Sequence, residues 1–237
     1  MGAHSTLLLL ADGRFPAGGH AHSGGLEAAV TAGRVRDLAS LGAFLHGRLA
    51  TAGLVTAAFA AAACAASRPP AEPRPATMLQ PAVAVCVRHS VAELDAGLDA
   101  RTPSPALRRA SRAQGRALLR AGRALWTLST VERELHQPVA LGVVAAAAGL
   151  CPAEAALTAA YGTLTGPASA AVRLLGLDPY ATHALVARLA EECDATATRA
   201  VAAALESTVD DLPACSAPLL DIGAEIHASW EVRLFAS

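Results

Sequence analysis

Two histidines, His20 and His22, stand two residues apart in the glycine-rich run GGHAHSGGLE (18–27). On an extended backbone alternate side chains point the same way, so both imidazoles would face one side, which is the start of a metal site. Two ligands do not complete one, and no third donor stands out locally; His4 and Cys64 are the further residues to consider. Asp12, His22 and Ser23 make no hydrolase triad by residue type alone. The simpler reading of the run is conformational, with glycines supplying positive φ and close backbone approach around a turn.

A second pattern is electrostatic. Arg108, Arg112, Arg116 and Arg120 recur every four residues, with Arg101, Arg109 and Arg123 nearby and no acid between Arg101 and Arg123. On a helix this spacing aligns the guanidinium groups as a ridge. Residues 178–231 carry ten acids against two arginines. The two stretches could face each other within the fold or across a dimer, or the ridge could receive an acidic partner. Nucleic acid is disfavoured by a net charge of −1 and only 3% aromatic residues.

A third pattern lies at the C-terminus. Leu219, Ile222, Ile226, Trp230 and Leu234 step at intervals of three and four residues, with Asp221 and Glu225 beside them. This apolar stripe either packs on the protein's own core or docks on a partner.

Composition removes other chemistries. All 19 basic residues are arginine, so the chain has no phosphate-loop lysine and no Schiff-base lysine. Asparagine is absent too and isoleucine occurs only at Ile222 and Ile226, a bias that a G+C-rich gene would produce without functional selection. The five cysteines (Cys64, Cys86, Cys151, Cys193, Cys215) form no CxxC pair, so neither a disulfide framework nor a zinc knuckle is indicated and a reducing cytoplasm is expected. The start MGAHST fits a myristoylation pattern only by its shortest features, and Leu7–Leu10 is too short for a signal peptide. Leu49–Ser67 is uncharged for long enough to span a bilayer but is mostly alanine, and a buried helix is expected there, with no membrane partner.

The elements that must position these residues read as helices. Alanine, leucine and arginine favour them, no run of alternating β-branched residues appears, and the expected fold is all-α, one compact multi-helix domain over 1–237. Residues 1–25 read as an apolar, Gly-rich segment with an irregular loop. Helices are expected from Leu26 to Gly33, from the Asp37 cap towards Ser67 with a break near Gly53, and over Ala82–Leu98. The four prolines in 67–77 mark an exposed loop, and TPSP (102–105) precedes a long helix to Leu128. Further helices are expected over Pro138–Gly149, Pro152–Leu164, from Gly166–Pro167 to Leu175, from Asp178–Pro179 to Glu206, and over Ala217–Trp230 ahead of a short tail.

The fragments LLLLADGRFPAGGHAHSGGLEAAVTAGRV (7–35), SRAQGRALLR (111–120), HQPVALGVVAAAAGL (136–150), SAAVRLLGLDP (169–179) and PLLDIGAEIHASWEVRLFAS (218–237) together resemble the urease accessory protein UreF family. They occur in order over nearly the whole chain. Where the family often carries aromatic residues this chain has His20 and His22, a Pro-Leu-Gly-Gln element reads Leu-Gly-Leu-Asp (175–178), and Ala236 replaces a frequent basic residue.

The resemblance implies a non-enzymatic, cytoplasmic, dimeric chaperone without catalytic residues or an intrinsic cofactor. It would bridge the scaffold protein UreD (UreH) and the GTPase UreG on apo-urease, with nickel supplied indirectly by UreE and GTP bound by UreG. It also implies that the scaffold binds the C-terminal helix and tail, through Ile226, His227, Trp230, Arg233, Leu234, Phe235 and Ser237. Pro16, Gly18, Gly19, Ser23, Gly25, Glu27, Arg112, Gly115, Arg116 and Arg120 are expected on a dimer or GTPase-facing surface. The alternative is an independent nickel-binding protein using the His20/His22 loop.

Overall fold

A computed structural model describes residues 3–68, 89–128, 134–206 and 208–237. Its helices are α1 (Ala3–Ala11), α2 (Leu26–Thr31), α3 (Leu38–Arg48), α4 (Leu54–Ser67), α5 (Val91–Ala100), α6 (Pro105–Leu125), α7 (Gln137–Ala147), α8 (Pro152–Leu175), α9 (Pro179–Arg188), α10 (Ala190–Glu206) and α11 (Pro218–Ala228). No strand occurs among the described residues, so the fold is all-α as the composition demands.

The alanine-rich α4 runs through the centre, flanked by α7, α8 and α10, and its residues from Ala57 to Ala63 are almost entirely buried. Small side chains make this possible because helices with little between them can approach closely. At Gly142 of α7 a Cβ would stand 2.6 Å from Ala63 Cβ and 2.7 Å from the Cys64 amide nitrogen. The rod from Leu38 to Ser67 has the length and mean hydropathy (1.8) of a membrane span, and 67% of that window is buried inside the fold. Its apolar character is therefore used against its neighbouring helices.

Capping follows the sequence where the signals are local. Asp37 accepts from the Ser40 amide at 2.8 Å and opens α3. Ser104 caps α6 with Pro105 in the first turn, and Asp178 caps α9 through the Tyr180 and Ala181 amides.

Four expectations are corrected. Residues 3–11, expected only as a short apolar stretch ahead of an irregular loop, form a helix that lies against α8, with Thr6 and Leu10 buried. The expected break at Gly53 is a π-helical turn (Leu49–Gly53) that carries α3 directly into α4. Gly166–Pro167 does not end a helix. Pro167 sits buried inside α8, where packing on α4 and α10 outweighs the lost backbone donor. The expected single helix from Asp178 to Glu206 divides at Leu189, yet of the apolar face its spacing sets out (Val186, Leu189, Cys193, Ala197, Ala200 and Ala204) all but the half-buried Val186 are buried. The proline loop beyond Arg68, the expected helix before His89, and Cys86 lie outside the described residues.

The arginine ridge of α6 finds most of its partners close by. Arg112 donates to Asp95 Oδ2 at 2.9 Å and Asp99 Oδ2 at 2.8 Å, both on α5, and to the Glu134 carbonyl. His136 completes this junction, donating its backbone amide to Asp95 Oδ1 at 2.8 Å and sharing Nε2 with Asp99 Oδ1 at 2.7 Å. Burial holds the His136 imidazole below its ordinary range against the opposing pull of Asp99. The neutral ring then donates from Nε2 to Asp99 and accepts at Nδ1 from Ser111 Oγ, which itself accepts from the Gln137 amide. The sequence balance pointed instead to residues 178–231. From that stretch Glu225 reaches α6, accepting from the Ala106 amide at 2.8 Å near Arg108 and Arg109.

Replacing Arg112 with alanine leaves Asp95 buried beside α6 without its cation. A loss of about 2–4 kcal/mol is expected, read from urea unfolding at neutral pH. Arg112→Lys should recover only part of it, because an ammonium cannot hold two carboxylates in a planar fork. An alanine variant as stable as the parent would exclude this junction as a determinant of stability.

Candidate functional site

The C-terminal helix and tail meet the glycine-rich loop at one buried carboxylate. Gly25, at φ 88°, opens the short α2, and the next turn places Glu27 inside the protein. Glu27 Oε1 accepts from the Leu234 amide at 2.8 Å, and Oε2 accepts from the Phe235 amide at 3.0 Å and from His227 Nε2 at 2.8 Å. Burial pushes the Glu27 carboxyl up, but these donors outweigh it and hold it below the usual carboxylate range. The ionised side chain thus fixes both α11, through His227, and the tail, through two backbone amides.

The loop ahead of α2 adds a second row of bonds. The Ser23 amide donates to the Ser237 carbonyl at 2.6 Å, Ser23 Oγ donates to the same oxygen at 3.0 Å, and the Ala236 amide donates to the Ala21 carbonyl at 2.7 Å. His22 Nδ1 shares a 2.6 Å hydrogen bond with Ser237 Oγ, while burial and then the nearby His20 lower the His22 pKa. Phe235 is buried with the Arg173 guanidinium 4.6 Å from its ring centroid, and Trp230 packs its indole 4.8 Å from the His227 ring.

This anchoring turns the stripe outward. Leu219, Ile222, Ile226 and Leu234 remain 61%, 56%, 53% and 52% exposed, and Val232 beside them is 89% exposed. Four large aliphatic side chains in helical register and on the adjoining tail form an apolar surface that the chain itself does not cover. Arg233 is exposed at its edge and Trp230 is half-buried.

The other expected site residues divide. Ser23 and Glu27 are buried in the tail junction, and Gly25 lies against Leu220 of α11, whose Cδ2 would be 3.0 Å from an added Cβ. Pro16 and Gly19 are exposed, and Gly18 takes φ 73° with open space around it. On α6, Arg120 is exposed and Arg116 pairs with Glu134 at 2.7 Å across the surface. Arg112 is committed to α5 as described. Gly115 is not at the surface: it is buried where a Cβ would strike the Leu135 carbonyl. Among the described residues no group of three His, Cys, Asp or Glu side chains is gathered to hold a metal ion. His20 is exposed, and His22 is engaged with Ser237.

The UreF family model matches residues 35–190. The chain belongs to the UreF family. Proteins named urease accessory protein UreF are similar to it from end to end. The relative from Mycobacterium sp. (strain JLS) is 46% identical over 236 residues, 98% of each chain. That from Mycolicibacterium vanbaalenii is 43% identical over 240 residues and the full length of both. That from Mycobacterium tuberculosis (strain H37Rv) is 40% identical over 98% of each.

Within this UreF-family chain, sequence reasoning singled out Glu27 and the tail separately but did not pair them. The available signal was an acid inside an otherwise apolar turn, LEAAVT, and a histidine on the apolar C-terminal helix. Arg173 and the Asp95–Asp99–His136 junction gave no such sign.

Proposed function

We propose that this chain serves urease maturation as a scaffold that catalyses no reaction of its own. Its C-terminal helix and tail dock on the accessory scaffold protein UreD (UreH), and the pair holds the GTPase UreG against apo-urease in the cytoplasm. GTP and nickel stay with the other members of the assembly, nickel arriving by way of UreE, and the chain itself pairs as a homodimer. The observation that carries this reading is the exposed Leu219–Ile222–Ile226–Leu234 surface, held in place by Glu27, on a chain similar over its whole length to urease accessory proteins. Such a surface suits a partner that buries apolar area. The alternative nickel-binding loop has only His20 and His22 among the described residues.

Pull-down with the scaffold protein tests it. Ile226→Glu places a charge in the middle of the apolar surface at an exposed site, so the fold should persist while capture falls at least tenfold, corresponding to about 1.4 kcal/mol or more. Deleting Leu234–Ser237 should abolish capture with helical content unchanged by circular dichroism. Capture at parental levels by both variants would sink the docking assignment. Tight stoichiometric nickel binding lost in a His20→Ala/His22→Ala variant would favour the alternative.

A further inference from the structure

Arg48 has a buried side-chain nitrogen without a partner and no counter-charge among the described residues. Arg48 ends α3, and its side chain runs beneath the turn at Gly24, where φ is 63°. A Cβ on Gly24 would lie 3.1 Å from an Arg48 terminal nitrogen, 3.2 Å from its Cζ and 3.1 Å from Pro167 Cγ, so the glycine backbone lies directly on the guanidinium. The Arg48 Nε is sealed from solvent and has no hydrogen-bond partner. No ion pair joins Arg48 to an acid among the described residues. Burial lowers its pKa to about 10, with no carboxylate opposing the shift. An Nε–H sealed from water without an acceptor is costly to the free protein, and the planar fork of arginine matches a carboxylate better than any other protein group.

The position of this arginine suggests what supplies the acceptor. The residue is only half-buried, and its terminal nitrogens are not among the sealed atoms, so an edge of the fork can be reached. The next residue in the turn, Gly25, touches Leu220 at the start of α11, one residue from the exposed Leu219. The socket and the apolar surface therefore flank the same two-glycine turn.

The geometry points to Arg48 as the receptor for an acidic side chain of the protein that docks on α11, with a bidentate carboxylate entering at the Gly24 turn. A lone guanidinium with no second donor holds a free anion poorly against water. A carboxylate delivered by a docked apolar surface arrives at high effective concentration and with the water displaced. This inference rests on the docking reading above and adds the polar contact that would fix its register.

The test compares the full-length parent with Arg48→Met and Arg48→Lys by thermal melting and by titration calorimetry with the scaffold protein UreD (UreH). Arg48→Met keeps the side-chain stem and removes the unpaired charge. Its melting temperature should equal or exceed the parent's while its affinity for the scaffold falls about ten- to a hundredfold. Arg48→Lys should recover only a small part of that loss. Undiminished affinity in Arg48→Met, or a fall in melting temperature large enough to account for weaker binding, overturns the proposal and leaves the docking reading standing. No binding by the parent itself overturns both. In a parallel arm, sodium acetate is titrated against sodium chloride while the Arg48 Nε–H resonance is followed. A saturable acetate-specific shift would assign the site to a free anion and overturn the assignment to a partner's side chain.

Discussion

Replacing Glu27 with alanine is expected to free the C-terminal tail. Among the described residues the carboxylate is the acceptor for the Leu234 and Phe235 amides and for His227 Nε2, and Phe235 and His227 are buried. Its removal leaves three donors unpaired, a cost of about 3–5 kcal/mol if the chain keeps its native packing. The tail's other bonds run to the loop at Ala21–Ser23, so the cheaper response is local release of residues 234–237. Hydrogen exchange at Leu234, Phe235 and Ala236 should accelerate by about two orders of magnitude or more, while amides in α4 keep their protection. Scaffold capture should fall with it. Unchanged protection of residues 234–236 would remove Glu27 from this role.

The same site sets an acid limb. The folded Glu27 carboxyl titrates below its ordinary value of 4.5. The folded state therefore binds fewer protons than the unfolded state in the window between the two values. Stability from this group is fully present above the ordinary value and is lost as pH falls through the folded one. In Glu27→Gln this part of the acid dependence should disappear, because the amide does not ionise and offers only one acceptor oxygen. An identical acid limb in parent and variant would show that Glu27 is not the titrating group.

Gly142→Val should be severely destabilising. The glycine exists because α7 crosses α4 with no room for a side chain, a Cβ meeting Ala63 Cβ at 2.6 Å and the Cys64 nitrogen at 2.7 Å. Neither neighbour can rotate away, since one is a methyl on the backbone and the other is backbone. Gly142→Ala should cost about 1–3 kcal/mol through forced separation of the two helices, although alanine is intrinsically the better helix former by about 1 kcal/mol. Valine adds two methyl groups to the same overlap and should leave the chain unfolded or molten at ambient temperature. Gly162 supplies the control. It lies in α8 with nothing within 4 Å of an added Cβ, so Gly162→Ala should stabilise by about 0.5–1 kcal/mol. Melting curves of the three variants check the ordering, and equal effects at Gly142 and Gly162 would exclude close approach as the cause.

Helix type, most helix starts and the buried face of α10 were legible along the chain because they depend on neighbours three or four residues apart. Asp37, Ser104 and Asp178 each bond an amide within three residues, so their caps are written locally. The stripe from Leu219 to Leu234 was legible for the same reason. The failures share a different cause. Gly166–Pro167 and Gly53 are helix breakers by local rule, and α8 and the α3–α4 rod continue through them because burial against other helices holds them. The Arg112 row was visible as a periodicity, but its partners Asp95 and Asp99 lie on a separate helix that charge counting did not single out.

The sequence by itself determined an all-α chain with a UreF-like order of motifs, an arginine-lined helix and an amphipathic C-terminus. Periodicity and composition are sufficient for that, since each is a property of residues near one another along the chain. Only the tertiary structure decided that residue 27 holds residues 234 and 235, that Ser23 meets Ser237, and that Arg48 lies without an acceptor beneath Gly24. These contacts join segments about two hundred residues apart, or depend on which donors the folded interior leaves unpaired. No local pattern encodes either, because both follow from how the helices pack around α4.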